Sequence, residues 1–440
     1  MVSRSERRGS PSLRERSSAL KTSRPEGALP IAAGLVVSGA SAYLFLIVAA
    51  HVLTVEQYAT FGVAWTMIFV AATGLFLPIE QEVIRAISLR RGGGRDWRVV
   101  LRRAWILSLA FAGAAAIAGF AMGGLLVSRL LGGDWVVYAG FLTSLFGYAF
   151  GYMVRGVLAG TEDFSRYGFY VGWDGLLRAG LGVGAAIIGL RTAGALGMVV
   201  GLSSVLAPLS VIASKRASFK PIEAGTDEAG WSQLTASLGA LLVASLASQF
   251  LANAGPLALQ LIVGNEESNL VGVLFAALVM ARIPLFMFQS VQAALLPRLA
   301  RQAEGGRFAE FRKAVSVVAG WLGVATLVGA VTGAVVGPFA IRLIFGSRFR
   351  LGSLDLGLLL LMVGLHLETL TLSQGLVALK AQVRMAITWV VGLFVAVLML
   401  MTSLEPLHRV VVALVVGEAA AACCGTILLR MSIARACRAE

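Results

Sequence analysis

A dozen apolar runs of about twenty residues, parted by short polar breaks, dominate this chain of 440 residues. A run of that length crosses the ~30 Å hydrocarbon core as a helix, which satisfies its own backbone where no water can. The runs are expected at 29–52, 60–79, 104–127, 135–158, 167–190, 193–213, 233–263, 270–296, 314–336, 353–378, 385–402 and 410–429. Barrel strands would be about ten residues long with strict alternation. These runs are twice that and apolar on every face. Gly255-Pro256 is expected to kink the seventh run and Pro284 the eighth.

The two halves look duplicated. The stretch EQEVIRAISLRRGGG (80–94) follows the second run and SVQAALLPRLARQAEGG (290–306) closes the eighth; each joins an amphipathic exit to a basic cluster and then glycines. Runs three and nine, four and ten, and six and twelve recur at similar offsets. Six spans per half bring the second half in with the same orientation, so the repeat is parallel, about an axis along the membrane normal. The expected fold class is an all-α polytopic membrane protein of 12 transmembrane helices in two six-helix lobes. Residues 1–28 read as a disordered basic tail, 29–213 as the first lobe, 214–232 as a polar linker, 233–429 as the second lobe and 430–440 as a second tail.

Basic residues set the expected orientation. Of 37 Lys and Arg, 29 fall on the side of the termini and only 6 on the other. That split places both termini in the cytoplasm of a multi-pass protein of the inner membrane. The net charge of +14 therefore marks topology and not a nucleic-acid surface, for no soluble module gathers the basic groups. Cys423 and Cys424 are expected to behave as small buried hydrophobes. Neither the three cysteines nor His51, His366 and His408 have metal-ligand spacing, and no cofactor is expected. Gly180, Gly182, Gly184 and Gly189 suit close helix packing.

Ionisable groups inside a bilayer are costly and mark polar paths or buried pairs. Asp174 and Arg178 stand four apart in the fifth run, on one helix face. They fit either a structural ion pair or the wall of a substrate path. Arg282 lies in the eighth run with no acid three or four residues away. Its partner must be on another helix, such as Glu368 of the tenth run, or else in a cavity or on the substrate. His366 and Glu368 share the tenth run; Gln249, Asn253, Gln289 and Gln292 are amides in runs seven and eight. Each suits interhelical hydrogen bonding or contact with a polar cargo. Glu80, Glu82 and Arg85 close the second run as a solvated helix end or a cytoplasmic gate. No GxxxxGK[ST] loop is present, so nothing here binds nucleotide phosphates in that way.

Three motifs carry a family resemblance. The opening SGASAYLFLIVAAHVLTVEQYATF (38–61), with Gly39, Tyr43, Leu53, Tyr58 and Phe61, resembles the start of the MATE-like multidrug/oligosaccharidyl-lipid/polysaccharide exporter superfamily. LFAALVMARIPLFMFQSVQAALLPRLAR (274–301) is similar to its span eight through Pro284, Leu296 and Pro297, and PFAIRLIFGSRF (338–349) to its short outer segment through Phe345 and Gly346. QFLANAGPLAL (249–259) and the Pro78–Glu82 run lean toward the polysaccharide flippases. The resemblance implies two lobes that rock about a cleft lined by spans one, two, seven and eight. It implies a polyprenyl-diphosphate-linked oligosaccharide as cargo, with Arg282 offsetting its charge, and H+ or Na+ as a coupling ion. Implied partners are membrane lipid, the lipid-linked glycan, glycosyltransferases and a polysaccharide polymerase around a monomer. The alternatives are a small-molecule drug exporter and an intramembrane glycan polymerase or ligase. An enzyme is not expected, because the longest outer segment, 337–352, is short. Asn253 stands where many polysaccharide flippases carry an acid, and 29–52 holds no Asp or Glu, unlike some drug exporters.

Overall fold

A computed structural model describes residues 28–94, 96–213 and 238–439. The expected tail up to residue 27 and the linker 214–232 lie outside them. Among the described residues every regular element is a helix. The first six are α1 (Ala28–Val52), α2 (Val55–Gly92), α3 (Val99–Leu130), α4 (Trp135–Gly160), α5 (Phe164–Ile187) and α6 (Ala193–Ala213). The rest are α7 (Leu238–Asn253), α8 (Gly255–Val263), α9 (Ser268–Ala281), α10 (Ile283–Glu304), α11 (Phe308–Phe345), α12 (Ser353–Ala378), α13 (Gln382–Met399) and α14 (Pro406–Ala439).

Nine of these helices are long and apolar enough to cross a membrane, a tenth span (Ser268–Leu285) runs from α9 into the start of α10, and α7 with α8 makes an eleventh bent by 63°. The twelfth is α5, whose apolar character Asp174 and Arg178 dilute and which packs along α1. The bend between α7 and α8 falls at Gly255-Pro256, as the sequence suggests. The break between α9 and α10 falls at Arg282, two residues before Pro284. Hydropathy marks only the apolar middle of a helix, so several extend past their runs. The helices α2 and α11 reach 38 residues each. The final helix continues to Ala439 through the segment expected as a tail, because Ser432 and Ile433 still bury against the bundle.

The packing repeats. The first half pairs α1 with α5, α2 with α4, α3 with α4, α4 with α6, and α5 with α6. The second pairs α7 with α13, α10 with α12, α11 with α12, α12 with α14, and α13 with α14. The helices α4 and α12 both run 26 residues. The turns after them match bond for bond. Thr161, Glu162 and Asp163 donate backbone hydrogen bonds to Val157, Ala159 and Leu158; Leu379, Lys380 and Ala381 donate to Gly375, Val377 and Leu376. Glu162 (φ 61°) and Lys380 (φ 55°), at the same place in each turn, are the non-glycine residues with positive φ among those described. The two halves are thus copies in the same orientation.

Close helix approach within each half rests on glycine. A Cβ on Gly140 of α4 would lie 2.5 Å from the Gly197 carbonyl carbon of α6, and one on Gly392 of α13 would lie 2.8 Å from the Gly417 oxygen of α14. These contacts are tighter than a larger residue allows. Of the glycines expected to pack α5, Gly182 does so against Phe45, whereas Gly180, Gly184 and Gly189 face open space.

The apolar core is shared at one end of the bundle and split at the other. At the end of the 53–54 turn, one cluster joins Phe45, Tyr58 and Phe61 of the first half to Phe275, Phe345 and Phe349 of the second. The Tyr58 ring lies 5.2 Å from that of Phe275, tilted, and 5.3 Å from that of Phe349, edge-on. Toward the end where α14 terminates, the first half has its own core around Phe76 and Val83, and the second has another around Leu299 and Phe311. There the start of α7 leans on α2, through Leu238 and the Ser245 hydroxyl, which donates to the Thr73 carbonyl at 3.2 Å.

Candidate functional site

Arg282 stands at the point where the shared core ends. Ala281, the residue before it, is the last of α9 in that core. Its guanidinium donates to the carbonyl of Ala252, in the last turn of α7. In a continuous helix that carbonyl would accept from the amide four residues on, but residue 256 is proline and has no N–H. The arginine of one broken span therefore satisfies the oxygen freed by the break in another. Tyr43 of α1 braces the same region, its hydroxyl donating to the Val279 carbonyl at 3.0 Å. Arg282 is half-buried, and among the described residues no acid lies within ion-pair distance of it. One of its five N–H donors is used on Ala252, leaving the others available to a ligand.

The amides of α7 lie beside this point. The Asn253 side chain donates to Gln249 at 2.9 Å, so the two first satisfy one another. Gln292 is half-buried between the second and third turns of α10; Gln289 is on the same helix, and its side chain lies outside the described residues.

Asp174 and Arg178 do form a pair within the first half, at 3.6 Å, with Arg178 buried and Asp174 half-buried. Arg178 also donates to the Tyr148 hydroxyl at 2.9 Å and lies 5.4 Å from the Trp65 ring centroid. Such a cation–π contact adds to the pair when both are shielded from water. Asp174 Oδ1 and Arg178 Nε have no hydrogen bond among the described residues.

Glu80 does not sit at a solvated helix end. It is buried and meets Arg155 at 3.2 Å, with Tyr167 donating to it at 3.3 Å. Arg155 in turn lies 4.6 Å from the Tyr152 ring. Arg155 lies inside α4 and is matched to Glu80 of α2. Glu82 is buried too and holds Arg85 at 2.5 Å. These three proposed gate residues engage partners within their own half.

His366 does not pair with its neighbour Glu368. Its Nδ1 is 2.7 Å from Glu418 of α14, which is fully buried, and its ring lies 5.2 Å from that of Trp389. Glu418 was overlooked in the sequence, although it is the single acid of the run 410–429. His366 is the fourteenth residue of α12, as Tyr148 is of α4. Each half therefore keeps one buried polar contact at the same level of its central helix. Glu368 faces away from Arg282, into a groove of α11, α12 and α14. Among the described residues no three His, Cys, Asp or Glu side chains gather as a metal site. Cys423 faces outward from the bundle and not into the core.

The fold is that of the MATE transporters. The chain is similar to the inward-facing conformation of a multidrug resistance MATE family transporter of the MOP superfamily, with TM-score 0.70 and 17% identity over 92% of this chain and 95% of that one. The outward-facing conformation of such a transporter matches with TM-score 0.64 over 96% and 98% of the two chains, at 17% identity. A MATE crystal structure in complex with MaL6 matches with TM-score 0.65 and 18% identity over 93% and 95%. In sequence, the chain is 26% identical over 419 residues to uncharacterized proteins of Mycobacterium tuberculosis and Mycobacterium bovis, covering 90% of this chain and 93% of each of those. No protein-family model matches. The chain is a multi-pass membrane protein with this two-lobe architecture.

Proposed function

We propose that the protein carries a polyprenyl-diphosphate-linked oligosaccharide across the cytoplasmic membrane by alternating access. With the termini in the cytoplasm, the end at which the two cores part faces inward. Two copied lobes that share a core at one end and, apart from α7 against α2, keep separate cores at the other can exchange those ends by rocking. The observation that carries the choice of cargo is Arg282. A guanidinium with spare donors and no acid beside it, where the lobes diverge, suits a diphosphate, which Arg binds bidentately. A cationic drug would meet repulsion there. The names of the structural neighbours support the second reading, a small-molecule exporter, equally well at the level of fold.

Flipping of a labelled diphosphate-linked oligosaccharide in proteoliposomes tests the proposal. Because Arg282 also serves the Ala252 carbonyl, Arg282→Gln is compared with Pro256→Ala/Arg282→Gln, in which a backbone amide takes over that task. Both variants are expected to lose flipping at least about tenfold, the effect of one charge-assisted hydrogen bond lost. Arg282→Lys is expected to keep part of it. Normal flipping by the folded double variant, or uptake of a cationic dye in place of the lipid, overturns the reading.

A further inference from the structure

Away from the lobe interface, α11, α12 and α14 enclose a groove of about 890 Å³ on the outer side of the second half. No residue of α1, α2 or α7–α10 lines it. Its mouth is at the end of the bundle where α14 terminates. Arg312, from the first turns of α11, and Arg430 and Arg438, from the last turns of α14, stand there. All three are exposed, and none has an ion pair or hydrogen bond among the described residues. Deeper in, Val315, Leu372 and Leu429 make an apolar wall. Glu368 lies about 15 Å in from the end of α12, at 1.5 Å per helical residue, below the level of the arginines.

A basic mouth at the membrane surface above an apolar trough has the polarity of a phospholipid: anionic headgroup at the water, acyl chain in the hydrocarbon. We propose that this groove binds the phosphate headgroup of an anionic phospholipid from the leaflet on the side of the chain termini. Arg312, Arg430 and Arg438 hold the phosphate, and the acyl chain lies along the wall below. The partner is fixed by charge complementarity, since three guanidinium groups meet one deep carboxyl across the whole lining. It is independent of the cargo of the central cleft.

Native mass spectrometry of the full-length protein, titrated with phosphatidylglycerol or phosphatidylcholine, tests this. The wild type is expected to retain phosphatidylglycerol preferentially. Arg312→Gln/Arg430→Gln/Arg438→Gln is expected to bind it about a hundredfold more weakly, from the loss of three surface cations. A variant losing the same charge at Arg298, Arg301 and Lys313 is expected to bind as the wild type does. Ala434→Trp puts a bulky ring into the groove among the arginines and leaves every charge in place; it is expected to weaken lipid binding as well. Equal retention of the two lipids, an equal loss in the control variant, or undiminished binding by Ala434→Trp would each overturn the proposal, leaving a diffuse basic surface or none.

Discussion

Arg178 has three partners of different kind: the Asp174 carboxylate, the Tyr148 hydroxyl and the Trp65 ring. Taking Asp174 away leaves the guanidinium buried with only the weaker two. Asp174→Asn is expected to destabilise the protein by about 3–5 kcal/mol, the range for stranding one member of a buried pair. Asp174→Asn/Arg178→Gln is expected to recover much of that. Thermal unfolding in detergent reads both, and an equal loss in single and double variants would deny the coupling. The sequence placed the i, i+4 pair correctly because helix geometry alone sets it. It did not reveal Tyr148 or Trp65, which come from α4 and α2. Nor did it join His366 to Glu418, 52 positions apart in the chain, since helical spacing says nothing about which face of one span meets another.

At the scale of elements, the broken spans are connected. Pro256 removes an amide from α7, and Arg282, at the break before α10, supplies the missing donor. Both breaks were legible from their prolines; the contact between them was not, because it depends on where the end of α9 meets the end of α7 in space. Pro256→Ala restores the amide, so Arg282→Gln should cost less stability in that background than in the wild type. A double-mutant cycle by thermal unfolding is expected to give a coupling of about 1 kcal/mol or more. Strict additivity would mean that Arg282 does not serve that carbonyl. Element lengths were the least legible feature. The apolar middles of α2 and α11 were found, while hydropathy did not show how far their basic and amphipathic ends continue as helix.

For the whole molecule, the repeat was visible in the sequence as similar exits from two runs and as runs recurring at similar offsets. The structure gives it in full through the pairing of helices and the twin turns at Glu162 and Lys380. Those two residues are both exposed at the end where the cores part, one on each half. They make natural reporters of the motion that alternating access requires. Arg129, in the last turn of α3, and Arg350, just before α12, are exposed at the opposite end. The most direct measurement is a pair of pulsed electron-resonance distance distributions in lipid nanodiscs, one between spin labels at residues 162 and 380 and one between labels at 129 and 350. Rocking lobes predict reciprocal change: conditions that shorten the first distance lengthen the second. Two distributions that stay fixed, or that shorten together, across ion gradients and lipid-linked cargo would contradict alternating access by this protein.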